Sequence, residues 1–96
     1  MKTGQQVARG LTLVSLQRSP GGAQQALLRH EPTGEHFVVS HVVVPFSGPE
    51  TLVFPADAEG EITDWLEIAG GRNVSPEEAA AQLAALLDGK RLLEGS

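Results

Sequence analysis

The chain has 96 residues, 41% of them hydrophobic and 20% charged, with a formal net charge of −5 and no cysteine. That length and mixture fit one soluble globular domain with a thin core, which buries only about two thirds of the surface its unfolded form exposes. The missing cysteines exclude a disulfide framework, a thiolate zinc site, an iron–sulfur cluster and a cysteine nucleophile.

Residues 7–17 predict a first strand, since Leu11, Thr12, Leu13, Val14 and Leu16 favour β structure and Gly10 disfavours a helix interior. Ser19, Pro20, Gly21 and Gly22 supply a turn, and residues 23–30 predict a returning strand, although their Ala, Gln and Leu also suit a helix. After the turn Glu31, Pro32, Thr33, Gly34, residues 35–44 predict the central strand: Val38, Val39, Val42, Val43 and Val44 are β-branched, and apolar residues fall on both alternating faces. Residues 51–54 predict a fourth strand closed by Pro55, and residues 61–66 a fifth beyond the turn Asp57, Ala58, Glu59, Gly60.

The helix has the clearest signals. Ser75 stands at an N-cap position, Pro76 at the first helical position and Glu78 at the third, completing a capping box; Glu77 and Glu78 meet the positive end of the helix dipole. Ala79, Leu83, Leu86 and Leu87 form the stripe expected to face the sheet, and Gly89 is expected to stop the helix. The expected architecture is α+β: an antiparallel meander of four to five strands with one C-terminal helix packed on one face. A single domain over residues 1–93 would carry a disordered tail at 94–96.

Charge is unevenly placed. Residues 1–48 carry a net +2 and residues 49–96 a net −7, with five acids and no base between Asp57 and Glu67. Such a block repels phosphate and attracts basic surfaces, and four aromatic residues supply few stacking platforms, so nucleic acid is not an expected ligand. Residues 37–46 are the longest nearly continuous apolar run, about half of what a membrane helix needs. With no export signal at the start, the expectation is a cytoplasmic protein that does not enter a membrane.

The search for catalytic chemistry returns little. His36 and His41 are five apart in a predicted strand, hence on opposite faces; His30 and His36 flank a turn but have no third ligand, so neither a metal nor a cofactor is expected. Ser40 beside His41 lacks a nucleophile-elbow sequence. The carboxylates around Asp57 sit in an exposed turn that would not desolvate one of a pair, and Gly60 is misplaced for a calcium loop. No enzyme is expected.

Two constellations point to binding. Asp57, Glu59, Glu61 and Asp64 surround Trp65, which reads either as a buried plug or as an interface anchor. Gly70, Gly71, Arg72 and Asn73 precede the Ser75 helix start and bring together backbone amides, a guanidinium and a helix N-terminus, the parts of an anion site. A third inference concerns the sheet: one helix covers one face, so the valines of the other would need a second copy or a partner added at an edge, which makes a homodimer the expectation.

Within residues 51–79, Phe54, Pro55 and Ala56 lead into Asp57, followed by Gly60, by Asp64 with Trp65, and by Gly70, Gly71 and Arg72 before the capped helix. This stretch resembles a segment of short uncharacterised proteins of actinobacteria and their phages. The resemblance implies no activity; it implies a phage or mobile-element accessory protein that binds and modulates a host protein. The leading expectation is a non-enzymatic protein-binding module that meets a basic partner surface through residues 57–67. The alternative is a binder of a small anionic ligand, a nucleotide or metabolite, at Gly70, Gly71, Arg72, Asn73 and Ser75.

Overall fold

The computed structural model describes residues 3–18 and 22–94. Six antiparallel strands follow one another in chain order across one sheet: β1 (Gln6–Ala8), β2 (Leu11–Arg18), β3 (Gln24–His30), β4 (His36–Val44), β5 (Gly48–Ala56) and β6 (Ala69–Arg72). One helix, α1 (Pro76–Glu94), completes the α+β domain. The helix touches both edge strands, β1 and β6, as well as β4 and β5. The sheet therefore curls into a half-barrel around its own helix.

The core under the helix is built from alternate strand positions. Leu11 and Leu13 of β2, Ala26 and Leu28 of β3, Phe37 and Val39 of β4 and Val53 of β5 meet Ala79, Ala80, Leu83 and Ala84 of α1. Cross-strand register puts them on one face: Leu13 opposes Leu28, Leu28 opposes Phe37, Ala26 opposes Val39 and Val39 opposes Val53. Small residues on the helix let it sit close to the sheet, and the stripe differs from the expected one because Leu86 faces solvent. The start of α1 is as predicted: Ser75 Oγ accepts from Glu78 N–H at 3.1 Å, and the ladder begins with Ala79 N–H to Ser75 C=O at 2.9 Å. Ser75→Ala is expected to lower stability by about 1 kcal/mol in a denaturant melt, with Ser75→Asp close to wild type.

Several boundaries differ from expectation for identifiable reasons. The first predicted strand is two, because Arg9 and Gly10 turn the chain between β1 and β2. The strand reading of residues 23–30 holds as β3, while Ser19, Pro20 and Gly21 of the turn before it lie outside the described residues. Pro55 does not close β5. Its carbonyl points away from β4 and accepts from Thr63 N–H at 3.0 Å, and a strand residue's N and C=O share a side, so the proline removes no bond from the β4 ladder. Pro49, whose carbonyl accepts from Asn73 N–H at 2.8 Å, is placed the same way.

No strand forms at residues 61–66. A single bridge pairs Ile62 with Ala56, and the chain then crosses the sheet as a loop. Asp64 takes part in the bend, its Oδ1 accepting from Leu66 N–H at 3.2 Å. The last strand is instead the glycine-containing β6, whose composition gives little β signal. Gly89 does not stop α1, which continues to Glu94; one helical glycine costs only about 1 kcal/mol relative to alanine. Of the expected tail, Glu94 belongs to the helix, and Gly95 and Ser96 lie outside the described residues.

The face away from the helix is not bare. Leu27, Val38 and Phe54 are all more than nine-tenths buried there. The 57–68 loop lies over them: Gly60 approaches Leu27, and the Trp65 ring meets Phe54 edge-on at 5.4 Å between centroids and 62° between planes. The reason for expecting a homodimer, valines left uncovered on the second face, is thereby removed for Val38. On this face Val42 and Val44, toward the far end of β4, are half-buried, while the exposed Val43 lies on the helix side and the exposed Phe46 in the turn beyond β4.

Candidate functional site

The acidic loop is a fixed structure. Asp57 Oδ1 accepts from Glu59 N–H at 3.0 Å and Glu61 N–H at 2.9 Å, while Gly60 N–H returns to Asp57 C=O. Ile68 N–H bonds Val53 C=O at 2.9 Å, anchoring the far end. Asp57 therefore shapes the turn and is half-buried, whereas Glu59, Glu61, Asp64 and Glu67 are exposed. The two ion pairs among the described residues, Arg9–Asp88 and Arg29–Glu31, include none of them. Arg29 also bonds Glu31 through Nε and Nη2, which, with help from Thr12, holds the Glu31 carboxyl below the usual glutamate range.

Trp65 is 73% exposed and Leu66 63% exposed. Trp65 is thus not the buried plug that a lone tryptophan in a small core suggests; one ring edge rests on Phe54 and the rest faces solvent. Leu66, read in the sequence as part of a strand, joins it at the surface. The sequence signal for this pair is the lack of alternation in residues 61–66, which a half-buried strand would show.

The second constellation is arranged differently from a loop with free amides. Gly70, Gly71 and Arg72 belong to β6. Gly70 N–H donates to Gln82 Oε1 of α1 at 2.9 Å, Asn73 N–H to Pro49 C=O, and the Ser75 hydroxyl already serves Glu78 N–H. Arg72 is exposed, opposite Glu50 in the β5–β6 register. The five residues are neighbours, but the amides of Gly70 and Asn73 are engaged within the chain.

One polar cluster was not anticipated. Thr51, fully buried on the helix side of β5, donates its hydroxyl proton to Val74 C=O. His41 Nδ1 lies 2.8 Å from the same hydroxyl oxygen. A hydroxyl has one proton and this one goes to a carbonyl, so His41 Nδ1 must donate. In neutral His41, Nε2 is then the ring's acceptor. His41 and His36 lie on opposite faces as expected, and Arg29 opposing His36 separates His36 from His30 too. Among the described residues no group of three or more His, Asp or Glu is placed to hold a metal ion.

The fold and these surfaces define an α+β domain of curled-meander type with an acidic, aromatic-tipped loop. Compared with protein-family models, with curated proteins and with solved structures, the chain matches none. Among the described residues no helix is long and apolar enough to cross a membrane.

Proposed function

We propose that this chain is a non-enzymatic, cytoplasmic protein-binding module that engages a basic partner surface through the 57–67 loop. The observation that carries this reading is the adjacent exposure of Trp65 and Leu66 in a loop whose Glu59, Glu61, Asp64 and Glu67 are exposed as well. An exposed aromatic backed on one side by its own core is held in place before binding, and tryptophan is the residue type most enriched among interface hot spots. The surrounding acids Glu59, Glu61 and Asp64 speed encounter with a cationic surface and disfavour anionic competitors, while Asp57 maintains the loop. In the setting implied by the resemblance to actinobacterial and phage proteins, the partner is a host protein that the module occupies and modulates.

The test is affinity capture from the source cell with wild type and Trp65→Ala. A protein retained by wild type, released by moderate salt and lost with Trp65→Ala is the expected result, with stability lowered by about 1 kcal/mol or less because the ring is mostly exposed. Equal retention by Trp65→Ala, or no retained protein, overturns the reading. The anion-binding alternative at Gly70, Gly71, Arg72, Asn73 and Ser75 is weakened by the amides already engaged there.

A further inference from the structure

A groove opens on the helix side of the sheet, beyond the first turn of α1. Its inner part is a cavity of about 150 Å³ lined by Leu16, Ala26, Val39, Pro76 and Glu77, together with Gln24 and His41. Gln24 and His41 also line an outer, more open part of about 270 Å³ that includes Arg18 and Val43. These two side chains therefore stand at the junction.

The register explains the assembly. Arg18 opposes Gln24, and Gln24 opposes His41, so the three cross neighbouring strands side by side. The extra residue in β2 between Leu13 and Ser15 shifts its phase, which puts Leu16 opposite Ala26 and Arg18 on the same face.

We infer that this groove binds a small 2-hydroxy acid with an apolar body. The inner recess has room for a body about as large as benzene, with Leu16, Ala26 and Val39 forming its apolar side. Arg18 enters neither ion pair among the described residues and is the cation of the outer part. Its guanidinium takes the carboxylate. Glu77, on the inner part, repels an anion and so orients the acid group outward. Between them, His41 has Nδ1 committed to Thr51, which leaves Nε2 for a ligand. A hydroxyl, which both donates and accepts, on the carbon next to the carboxylate pairs with that nitrogen at the junction, with Gln24 able to donate to either group.

The probes are mandelate, phenylacetate, which lacks only the hydroxyl, and 2-phenylethylammonium, which reverses the charge. Titration followed by amide NMR of the whole chain is expected to give saturable shifts at Leu16, Ala26, Val39 and His41 with mandelate. Phenylacetate is expected to bind several-fold more weakly, and the ammonium at least about tenfold more weakly. Arg18→Gln, a change at an exposed position, is expected to weaken mandelate about tenfold, and His41→Phe to abolish the preference for mandelate over phenylacetate. No saturable shifts with mandelate up to about 20 mM, shifts centred elsewhere, or equal binding of the ammonium overturns the inference. Mandelate and phenylacetate binding equally to wild type refutes the role given to His41 and with it the hydroxy-acid class.

Discussion

Gly70→Ala is expected to be the most damaging single methyl in the chain, lowering stability by about 4 kcal/mol or more, or preventing folding altogether. A Cβ built at Gly70 falls 2.0 Å from Thr51 O and 2.9 Å from Thr51 C, and both belong to backbone rather than to a side chain able to swing aside. The φ of +102° at Gly70 is also a conformation that side-chain-bearing residues rarely adopt. Relief would require β6 to separate from β5, which would pull Gly70 N–H from Gln82 and disturb the start of α1. Gly34→Ala is the control: φ there is +77°, nothing lies within 4 Å, and the cost is expected to be about 1–2 kcal/mol. Chemical denaturation of the two variants side by side checks the difference; equal midpoints would show that β6 is not held against β5 as described.

The second large effect is expected from Thr51→Val, a change that conserves volume and so leaves no cavity. It strips Val74 C=O of its donor and His41 Nδ1 of its acceptor, and Thr51 is fully buried. The expected loss is about 2–3 kcal/mol, the cost of leaving buried polar groups unmatched. Thr51→Ser keeps the hydroxyl and gives up one methyl, so it is expected to cost about 1 kcal/mol. If valine proved no worse than serine in a denaturant melt, the Thr51 bridge between β5 and the segment entering α1 would contribute nothing to stability.

Both effects depend on features that the sequence conveys weakly, whereas the scaffold around them is readable. The capped start of α1 follows from Ser75, Pro76 and Glu78, each with a local physical role. The β-branched run of β4 and the turns flanking it specify a central strand without tertiary information. Strand β6 is different: Gly70 and Gly71 lower β propensity, and Gly70 is required by the close approach of Thr51, a long-range fact. The loop at 61–66 departs from the expected strand for the converse reason. Ile62, Trp65 and Leu66 have the composition of a strand, but Asp64 bends the chain, Ile62 makes only a single bridge to Ala56, and the Trp65 ring is set edge-on against Phe54.

The candidate sites divide along the same line. Asp57, Glu59, Glu61, Asp64 and Trp65 are contiguous, so their grouping is visible in the primary sequence even though the exposure of Trp65 is not. Arg18, Gln24 and His41 come from three strands and meet only through cross-strand register. One slipped residue would place any of them on the other face. The extra residue in β2 decides that phase for Arg18, and nothing in the composition of residues 11–18 announces it.

The Gln82 contact to Gly70 has a consequence for colloidal behaviour. A terminal strand with unpaired amides can template the growth of fibres by recruiting further chains rung by rung. Here the amide of Gly70 on that border is occupied by a helix side chain. The molecule thus carries its own stopper against filament growth on that side, and Gln82→Ala would unblock one docking rung for amyloid-like stacking.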